Sequence, residues 1–341
     1  MKTSDEAYMR RALELAALGE AHASPNPMVG AVIVAPDGRI IGEGWHRRCG
    51  EPHAEVNAVA SVADPDELRT ATMYVTLEPC SHWGRTPPCA KLIIDRQIPR
   101  VVVAATDPFP AVSGRGIAML RDAGVEVRTG VLAEESRRLN ARFITAHTEK
   151  RPFVVLKWAQ SADGFMDRRR ESPDREAARL SSPLTRLLMH RLRSRCDAIL
   201  AGSGTVLADN PVLDARLWPG GNGPLPVVLD RRGRVPSDAR IRLRNPLILT
   251  GDTSPRAVLH TLYAEHGITS LLVEGGPAVL RSFIDSGAWD VARVEVAPER
   301  FGAEGAAMAP AIAAAPARVD NIDGRSICYY SQNALVDVKN L

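Results

Sequence analysis

His53-Ala54-Glu55, followed by Pro79-Cys80 and Cys89, constrains this chain more than any other group of residues in it. One imidazole and two thiolates are the soft donors that a tetrahedral zinc ion accepts. A fold that uses them must bring three well-separated segments to one point. Three protein donors leave the fourth corner open for a water, whose pKa the metal lowers to about 7. Glu55 is then free to carry that water's proton. Positions i and i+2 do not share a face along a regular helix, but at a helix tip they can straddle one object. A closed structural zinc site needs a fourth ligand, usually within tight Cys-x-x-Cys pairs. The candidates, His82 and Cys49, do not sit at such spacings.

His-x-Glu followed by Pro-Cys is similar to the signature of zinc hydrolytic deaminases, in which the Glu is general acid/base and not a ligand. The chain departs from it in one respect. The second Cys normally follows as Cys-x-x-Cys, whereas here Ser81-His82-Trp83-Gly84-Arg85-Thr86-Pro87-Pro88 intervenes. This insert is polar and stiff. Gly84 permits close backbone approach, and Pro87-Pro88 fixes the exit path. His82, Arg85 and Thr86 place donors beside the metal, and Arg suits a phosphate or a polar heterocycle. Asn26, held between Pro25 and Pro27, offers a rigid amide able to read donors and acceptors of a base-like ring. An Asn-Pro step alone equally marks a simple turn.

At roughly 150 residues per domain, 341 residues predict two domains. A hydrophobic share of 45% supports a sizeable core, and a net charge of +3 argues against an electrostatic nucleic-acid binder. Five cysteines, two of them metal candidates, leave no disulfide framework and fit a reducing cytoplasm. The segment from Met1 to Arg11 lacks an apolar signal core. No apolar run approaches the roughly 20 residues that span a bilayer. A cytoplasmic protein with neither membrane nor nucleic-acid partner is expected.

Thr3-Ser4-Asp5-Glu6 reads as a capping box opening a helix to about Leu18, which Gly19 stops. Val29 to Ala35 and Arg39 to Gly44 form a hairpin around Asp37-Gly38. His53 to Val62 is helical, with His53 and Glu55 in its first turn. Thr72 to Leu77 is a strand ending at Glu78-Pro79-Cys80, and Cys89 opens the next helix, where the dipole favours thiolate. Arg100 to Ala105 is a further strand, and two helices bracket Val125 to Arg128. A hairpin followed by alternating helices and strands implies a layered α/β sheet.

The second pattern begins after a polar stretch from Arg142 to Arg151, which places the boundary near 147–151. Phe153 to Trp158 is a strand, Ser161 to Gly164 a turn, Asp167 to Arg179 a charged loop, Pro183 to Ser194 a helix, and Asp197 to Ala201 a strand. Gly202-Ser203-Gly204-Thr205 follows directly, small enough for a nucleotide to approach the backbone or for a plain turn. Ser270 to Val273 is a buried strand. Glu274-Gly275-Gly276-Pro277 then leads into a helix with Pro277 at N1, running to about Asp285. That order makes an anion cradle, though not the Gly-x-Gly-x-x-Gly dinucleotide fingerprint.

Pro25-Asn26-Pro27, Val29-Gly30, Pro52-His53-Ala54-Glu55-Val56 and the run from Thr76 to Cys89 with its long insert resemble the bifunctional riboflavin-biosynthesis deaminase/reductase family. So do Lys157, Ser161-x-Asp163-Gly164, His190-Arg191-Leu192-Arg193, Asp197 to Gly202, Thr205-Val206-Leu207-x-Asp209-Asn210-Pro211 and Val273 to Gly276, in that order. The resemblance covers nearly the whole chain. It implies an N-terminal cytidine-deaminase-like three-layer α/β domain over residues 1–147 and a C-terminal dihydrofolate-reductase-like α/β domain over residues 151–341. The implied reactions are zinc-dependent hydrolytic deamination of a phosphoribosylated diaminopyrimidine, then NADPH reduction of the ribosyl chain to the ribityl form. Zinc falls to His53, Cys80 and Cys89, and catalysis to Glu55. Asn26, His82, Arg85 and Thr86 face the first substrate. Ala159, Thr205, Asp209 and the turn Gly275, Gly276 to Leu280 face NADPH, and Arg193, Leu213, Arg216 and Glu274 face the second substrate. Arg193 and Arg216 suit a phosphate clamp, and Arg231-Arg232 the 2′-phosphate of NADP. A homo-oligomer is usual for such proteins. Two departures stand out: Arg179 or Leu180 occupies the place of a frequent Trp, and Asp290-Val291 that of a frequent acidic pair. A monofunctional deaminase with an inactive second domain and a nucleic-acid base deaminase are the alternatives.

Overall fold

The strand Gly-Ala-Val-Ile-Val at 30–34 is buried on both faces, and a strand with no solvent face needs a helical layer on each side. The computed structural model provides both layers. It describes residues 2–83, 87–108, 113–170, 177–220, 223–333, 336 and 338, divided into units 1–149 and 150–341.

In the first unit the elements run α1 (Lys2–Ala17), β1 (Gly30–Val34), β2 (Ile40–Trp45), α2 (Ala54–Ala60), β3 (Thr72–Leu77), α3 (Cys89–Asp95), β4 (Arg100–Ala105), α4 (Arg115–Asp122), β5 (Glu126–Thr129), α5 (Ala133–Leu139) and α6 (Ala141–Glu149). The sheet order is β2-β1-β3-β4-β5. β1 runs antiparallel to β2 and β3, while β3, β4 and β5 are parallel. Alternate strand residues feed two cores. Ala31, Ile33, Met73, Val75, Val101 and Val103 pack with Ala54, Ala58, Ala90, Ile93 and Leu120 on one face. Val32, Val34, Tyr74, Val102 and Ala104 pack with Met9, Ala12 and Leu15 of α1 on the other. Gly30 is required by this packing, because a Cβ there would lie 2.0 Å from the Ala12 carbonyl oxygen.

The N-terminal helix differs from the sequence expectation. α1 begins at Lys2, upstream of the supposed capping box. Asp5 is buried and accepts a hydrogen bond from the Tyr74 hydroxyl (2.7 Å), and it pairs with Arg100 and Arg128. Asp5 is thus held by tertiary partners from β3, β4 and β5.

The second unit contains β6 (Phe153–Gln160), β7 (Phe165–Arg168), α7 (Pro183–Ser194), β8 (Ala198–Gly202), α8 (Ser203–Asp209), β9 (Leu225–Leu229), β10 (Leu247–Leu249), α9 (Pro255–Ala264), β11 (Ser270–Val273), α10 (Pro277–Asp285), β12 (Val291–Val296), β13 (Gly305–Met308), β14 (Arg318–Ile322) and β15 (Arg325–Ser331). Eight strands form one sheet in the order β10-β9-β8-β11-β6-β12-β15-β14, and β13 pairs with β7. The six strands from β10 to β12 in that order are mutually parallel; β15 and β14 extend the sheet antiparallel. β6 extends two residues beyond the expected Trp158 because Ala159 and Gln160 continue the ladder with Glu295 and Val296. Asp167 and Arg168, expected in a loop, belong to β7. Asp290 receives both Arg151 guanidinium nitrogens (2.7 and 3.0 Å) and the Val154 amide (2.8 Å), stapling the starts of β6 and β12. Among the described residues no helix is long and apolar enough to cross a membrane.

Candidate active sites

Three chain ends meet at the first site. His53 is the N-cap of α2, extended at ψ 167°, so it precedes the helix and does not lie in its first turn. Glu55 is the second residue of α2, Cys80 follows β3, and Cys89 is the first residue of α3. The His53 Nδ1 lies 3.7 Å from Cys80 Sγ and 3.4 Å from Cys89 Sγ, and the Cys89 amide donates to Cys80 Sγ at 3.3 Å. All three donor atoms fall within 4.8 Å of one another. A tetrahedral zinc with bonds of about 2.3 Å to sulfur and about 2.0 Å to nitrogen separates its donors by roughly 3.5–3.8 Å. The donor set therefore fits zinc in both chemistry and spacing.

Electrostatics agree with that reading. Hydrogen bonding to Cys89 and His53 pulls the Cys80 thiol well below its ordinary range, while the same contact and burial push Cys89 up. Glu55 is 3% exposed, and burial pushes its carboxyl up to about 7. A carboxyl poised near neutrality suits a group that takes and returns one proton.

The neighbours of these residues hold them in place. Glu78, buried, accepts backbone hydrogen bonds from Asp107 (3.3 Å), Gly114 (2.9 Å), Gly116 (3.0 Å) and Ile117 (3.2 Å). The start of α4 is thereby seated on the segment entering Cys80. A Cβ on Gly116 would stand 1.9 Å from the Pro79 carbonyl oxygen. On the other flank, Asn26 Nδ2 lies 3.1 Å from His46 Nε2, and His46 Nδ1 lies 3.2 Å from the Pro52 carbonyl oxygen. A proton on Nδ1 satisfies both contacts, leaving Nε2 to accept from Asn26. The His46 ring stands edge-on to His53, centroids 5.5 Å apart. Asn140 anchors the same loop through Met28, donating to its carbonyl (2.9 Å) and accepting from its amide (2.8 Å).

Asn26 is thus placed beside the metal ligands through His46. His82 is exposed. Arg85 and Thr86 lie outside the described residues. Glu78, His46 and Asn140 were not identified as site residues from sequence. Glu78 lay inside a quoted motif but its partners are backbone amides. His46 and Asn140 carry no spacing signal.

The second unit holds a cavity of about 1420 Å³, lined by Gly202 to Thr205 after β8, by Glu274 to Val279 after β11, and by Arg231, Arg232 and Arg234 after β9. Of the expected cofactor residues, Ala159, Thr205, Asp209, Gly275 and Gly276 line it. Leu280 does not: it is fully buried in the core, because its position in α10 turns it toward the sheet. Gly275 keeps the entrance to α10 open, since a Cβ there would lie 2.7 Å from Val279 Cβ. Asp209 accepts from Arg170 Nη2 at 2.5 Å. Arg179 and Leu180 both line the cavity, and Leu180 also packs with Ala297 and Phe301.

A smaller cavity of about 280 Å³ is lined by Arg193, Leu213 and Arg216. Lys157, Ser181, Arg186 and Asp209 line both cavities, so the two meet there. Arg193 donates twice to Glu274 (2.9 and 2.6 Å) and once to the Asp214 carbonyl (3.0 Å). Arg193, expected as a phosphate clamp, is thus also bound to Glu274, itself expected to face the substrate. Burial opposes the Glu274 charge, but Arg193 and Lys157 outweigh it and hold the carboxyl at about 2. Lys157, absent from the expected site, sits beside this pair, and burial lowers its ammonium.

Comparison with known proteins finds two family matches. Residues 152–315 match the RibD C-terminal domain, and residues 2–105 the cytidine and deoxycytidylate deaminase zinc-binding region. The riboflavin biosynthesis protein RibD of Aquifex aeolicus is 39% identical over 87% of this chain and 88% of its own length. That of Bacillus amyloliquefaciens is 38% identical over 87% and 85%. Among solved structures, Acinetobacter baumannii RibD superposes with a TM-score of 0.87 at 32% identity, covering 96% of this chain and 99% of that one. A deaminase/reductase from Thermotoga maritima superposes with a TM-score of 0.85 at 37% identity, covering 96% and 98%.

Proposed function

The chain belongs to the RibD family of riboflavin-biosynthesis deaminase/reductases, and we propose that its two steps use zinc at His53, Cys80 and Cys89 and NADPH in the large cavity of the second unit. The reading assigns deamination of the phosphoribosylated diaminopyrimidine to residues 1–147. It assigns reduction of the resulting phosphoribosylaminouracil to residues 151–341. It carries with it a cytoplasmic homo-oligomer that acts on small molecules and not on nucleic acid.

Bound zinc supplies an acidified water, and bound NADPH a hydride. The chain's own residues do the rest. Glu55 would carry two protons in turn, the first from the water to the ring nitrogen and the second from the added hydroxyl to the departing ammonia. His46 holds the Asn26 amide nitrogen, which leaves Oδ1 free to accept from the pyrimidine edge. His82, Arg85 and Thr86 are assigned to the same substrate. In the second unit the N-terminus of α10 and its two glycines receive the cofactor's phosphates, and Arg231 with Arg232 its 2′-phosphate. Arg193 and Glu274 form a fixed polar wall for the substrate, whose reacting carbon lies where the two cavities share Lys157 and Asp209.

The observation that carries the reading is the convergence of His53, Cys80 and Cys89 donors within 4.8 Å beside a buried Glu55. Incubation with the diaminopyrimidine phosphoriboside, with and without NADPH, tests it when both products and bound metal are measured. Ammonia release without NADPH and ribityl product only with NADPH are expected. Ammonia release with no NADPH-dependent product, from active-site-intact protein, would leave only the deaminase half standing.

A further inference from the structure

Arg170 stands two residues past the end of β7 and reaches across to α8. Its Nε donates to Asp167 Oδ2 (2.8 Å), its Nη1 to the Ala208 carbonyl (2.8 Å) and its Nη2 to Asp209 Oδ1 (2.5 Å). Asp167 in turn accepts the Ala178 amide at 2.9 Å. Asp167, Arg170, Ala178, Ala208 and Asp209 all line the large cavity of the second unit. One guanidinium thus joins β7, the segment leading into α7 and the last turn of α8 within the wall of that cavity.

The junction needs the shape of arginine. Three donors leave one rigid fork toward two carboxylates and a carbonyl, an arrangement that the compact ammonium of lysine does not reproduce. The Ala208 carbonyl is among the last in α8, where a helix leaves carbonyls without internal partners. The side chains of Arg170 and Asp167 are 21% and 20% exposed, so water screens this bridge less than it screens a surface pair. Arg170 occupies only one oxygen of Asp209. Among the described residues Asp209 Oδ2 has no hydrogen-bond partner. The carboxylate is held in one direction with an acceptor left over, and its charge is offset beside a cavity suited to an anionic cofactor.

We propose that Arg170 is a positioning residue for the cofactor: it fixes Asp209 and the end of α8 to β7, and so sets how tightly and how long NADPH is held. The inference rests on the reductase reading above. Without Arg170 the Asp209 side chain is free to turn, and an uncompensated carboxylate faces the cofactor's phosphates. Both changes weaken binding without touching the reacting carbon.

The test uses the full chain and NADPH itself, followed by its fluorescence. In Arg170→Gln the dissociation constant for NADPH rises roughly 5-fold to 10-fold, mostly through faster dissociation, and the KM for NADPH rises more than kcat falls. Arg170→Lys recovers only part of the loss, since it keeps the charge and not the fork. In protein already carrying Asp209→Asn, adding Arg170→Gln changes NADPH binding by less than about 2-fold, because the route through Asp209 is gone. Should Arg170→Gln not fold, Arg170→Lys serves alone, with weaker binding expected and unchanged binding contradicting the proposal. Unaltered NADPH binding in Arg170→Gln, or an equal loss with and without Asp209→Asn, overturns the proposal and leaves the reductase reading standing. Failure of the unsubstituted protein to bind NADPH overturns the reductase reading, and this inference with it.

Discussion

Asn140 pairs both ends of its side-chain amide with the backbone of Met28, 112 residues earlier in the chain. That bridge fixes the loop on which Asn26 reaches His46 and, through it, the face of the zinc ligand His53. Replacing Asn140 with Ala leaves a part-buried amide and carbonyl of Met28 without this partner, at a cost of about 1 kcal/mol. The expected result for Asn140→Ala is a deaminase KM raised more than kcat is lowered, with zinc content and reductase rate unchanged. Steady-state kinetics of both activities on one preparation check it. Equal loss of both activities would point to unfolding instead.

Glu78 gathers four backbone amides from the segment 107–117. Gln at this position offers one acceptor oxygen and turns an NH₂ toward amide donors. Glu78→Gln is expected to destabilise the first unit by about 2–4 kcal/mol, the scale of one or two unsatisfied buried groups, and to speed zinc loss to a chelator. Thermal unfolding and chelator kinetics measure the two effects separately. A variant as stable as its parent would show that the four amides find water.

The buried pair Arg193–Glu274 makes the second unit acid-sensitive. Its carboxyl is held at about 2, below the ordinary value of 4.5. Its contribution to stability is therefore fully present above the ordinary value and is lost as pH falls from there through about 2. Denaturant midpoints of the second unit should decline over that window. In Arg193→Met/Glu274→Gln, where no charge remains, the decline should flatten. At neutral pH, Arg193→Met alone should cost about 3–5 kcal/mol by stranding a buried carboxylate, more than the double variant costs. A single variant no worse than the double would contradict the pairing.

The legible parts of this chain were those written locally. Thr72 to Leu77, Cys89 at a helix start and Pro277 at N1 follow from strand patterning and capping chemistry within a few residues. His53, Cys80 and Cys89 were legible because metal chemistry restricts which residue types can converge. What escaped depended on distant partners. Thr3 to Glu6 reads as a capping box, yet α1 begins at Lys2 and Asp5 meets Tyr74, 69 residues away. The contact of Arg193 with Glu274, 81 residues away, has no local signature at either residue. Leu280 was placed by its neighbours in a glycine turn, yet the helical period sends that side chain into the core.

The most direct measurement of the central claim is ammonia release by Glu55→Gln, with zinc content determined on the same sample. General acid–base groups contribute about 100-fold to 10,000-fold. The account predicts a fall of at least about 100-fold, undiminished zinc, and normal NADPH-dependent reduction of supplied intermediate. Deamination at the unsubstituted rate by a zinc-loaded Glu55→Gln protein would contradict it.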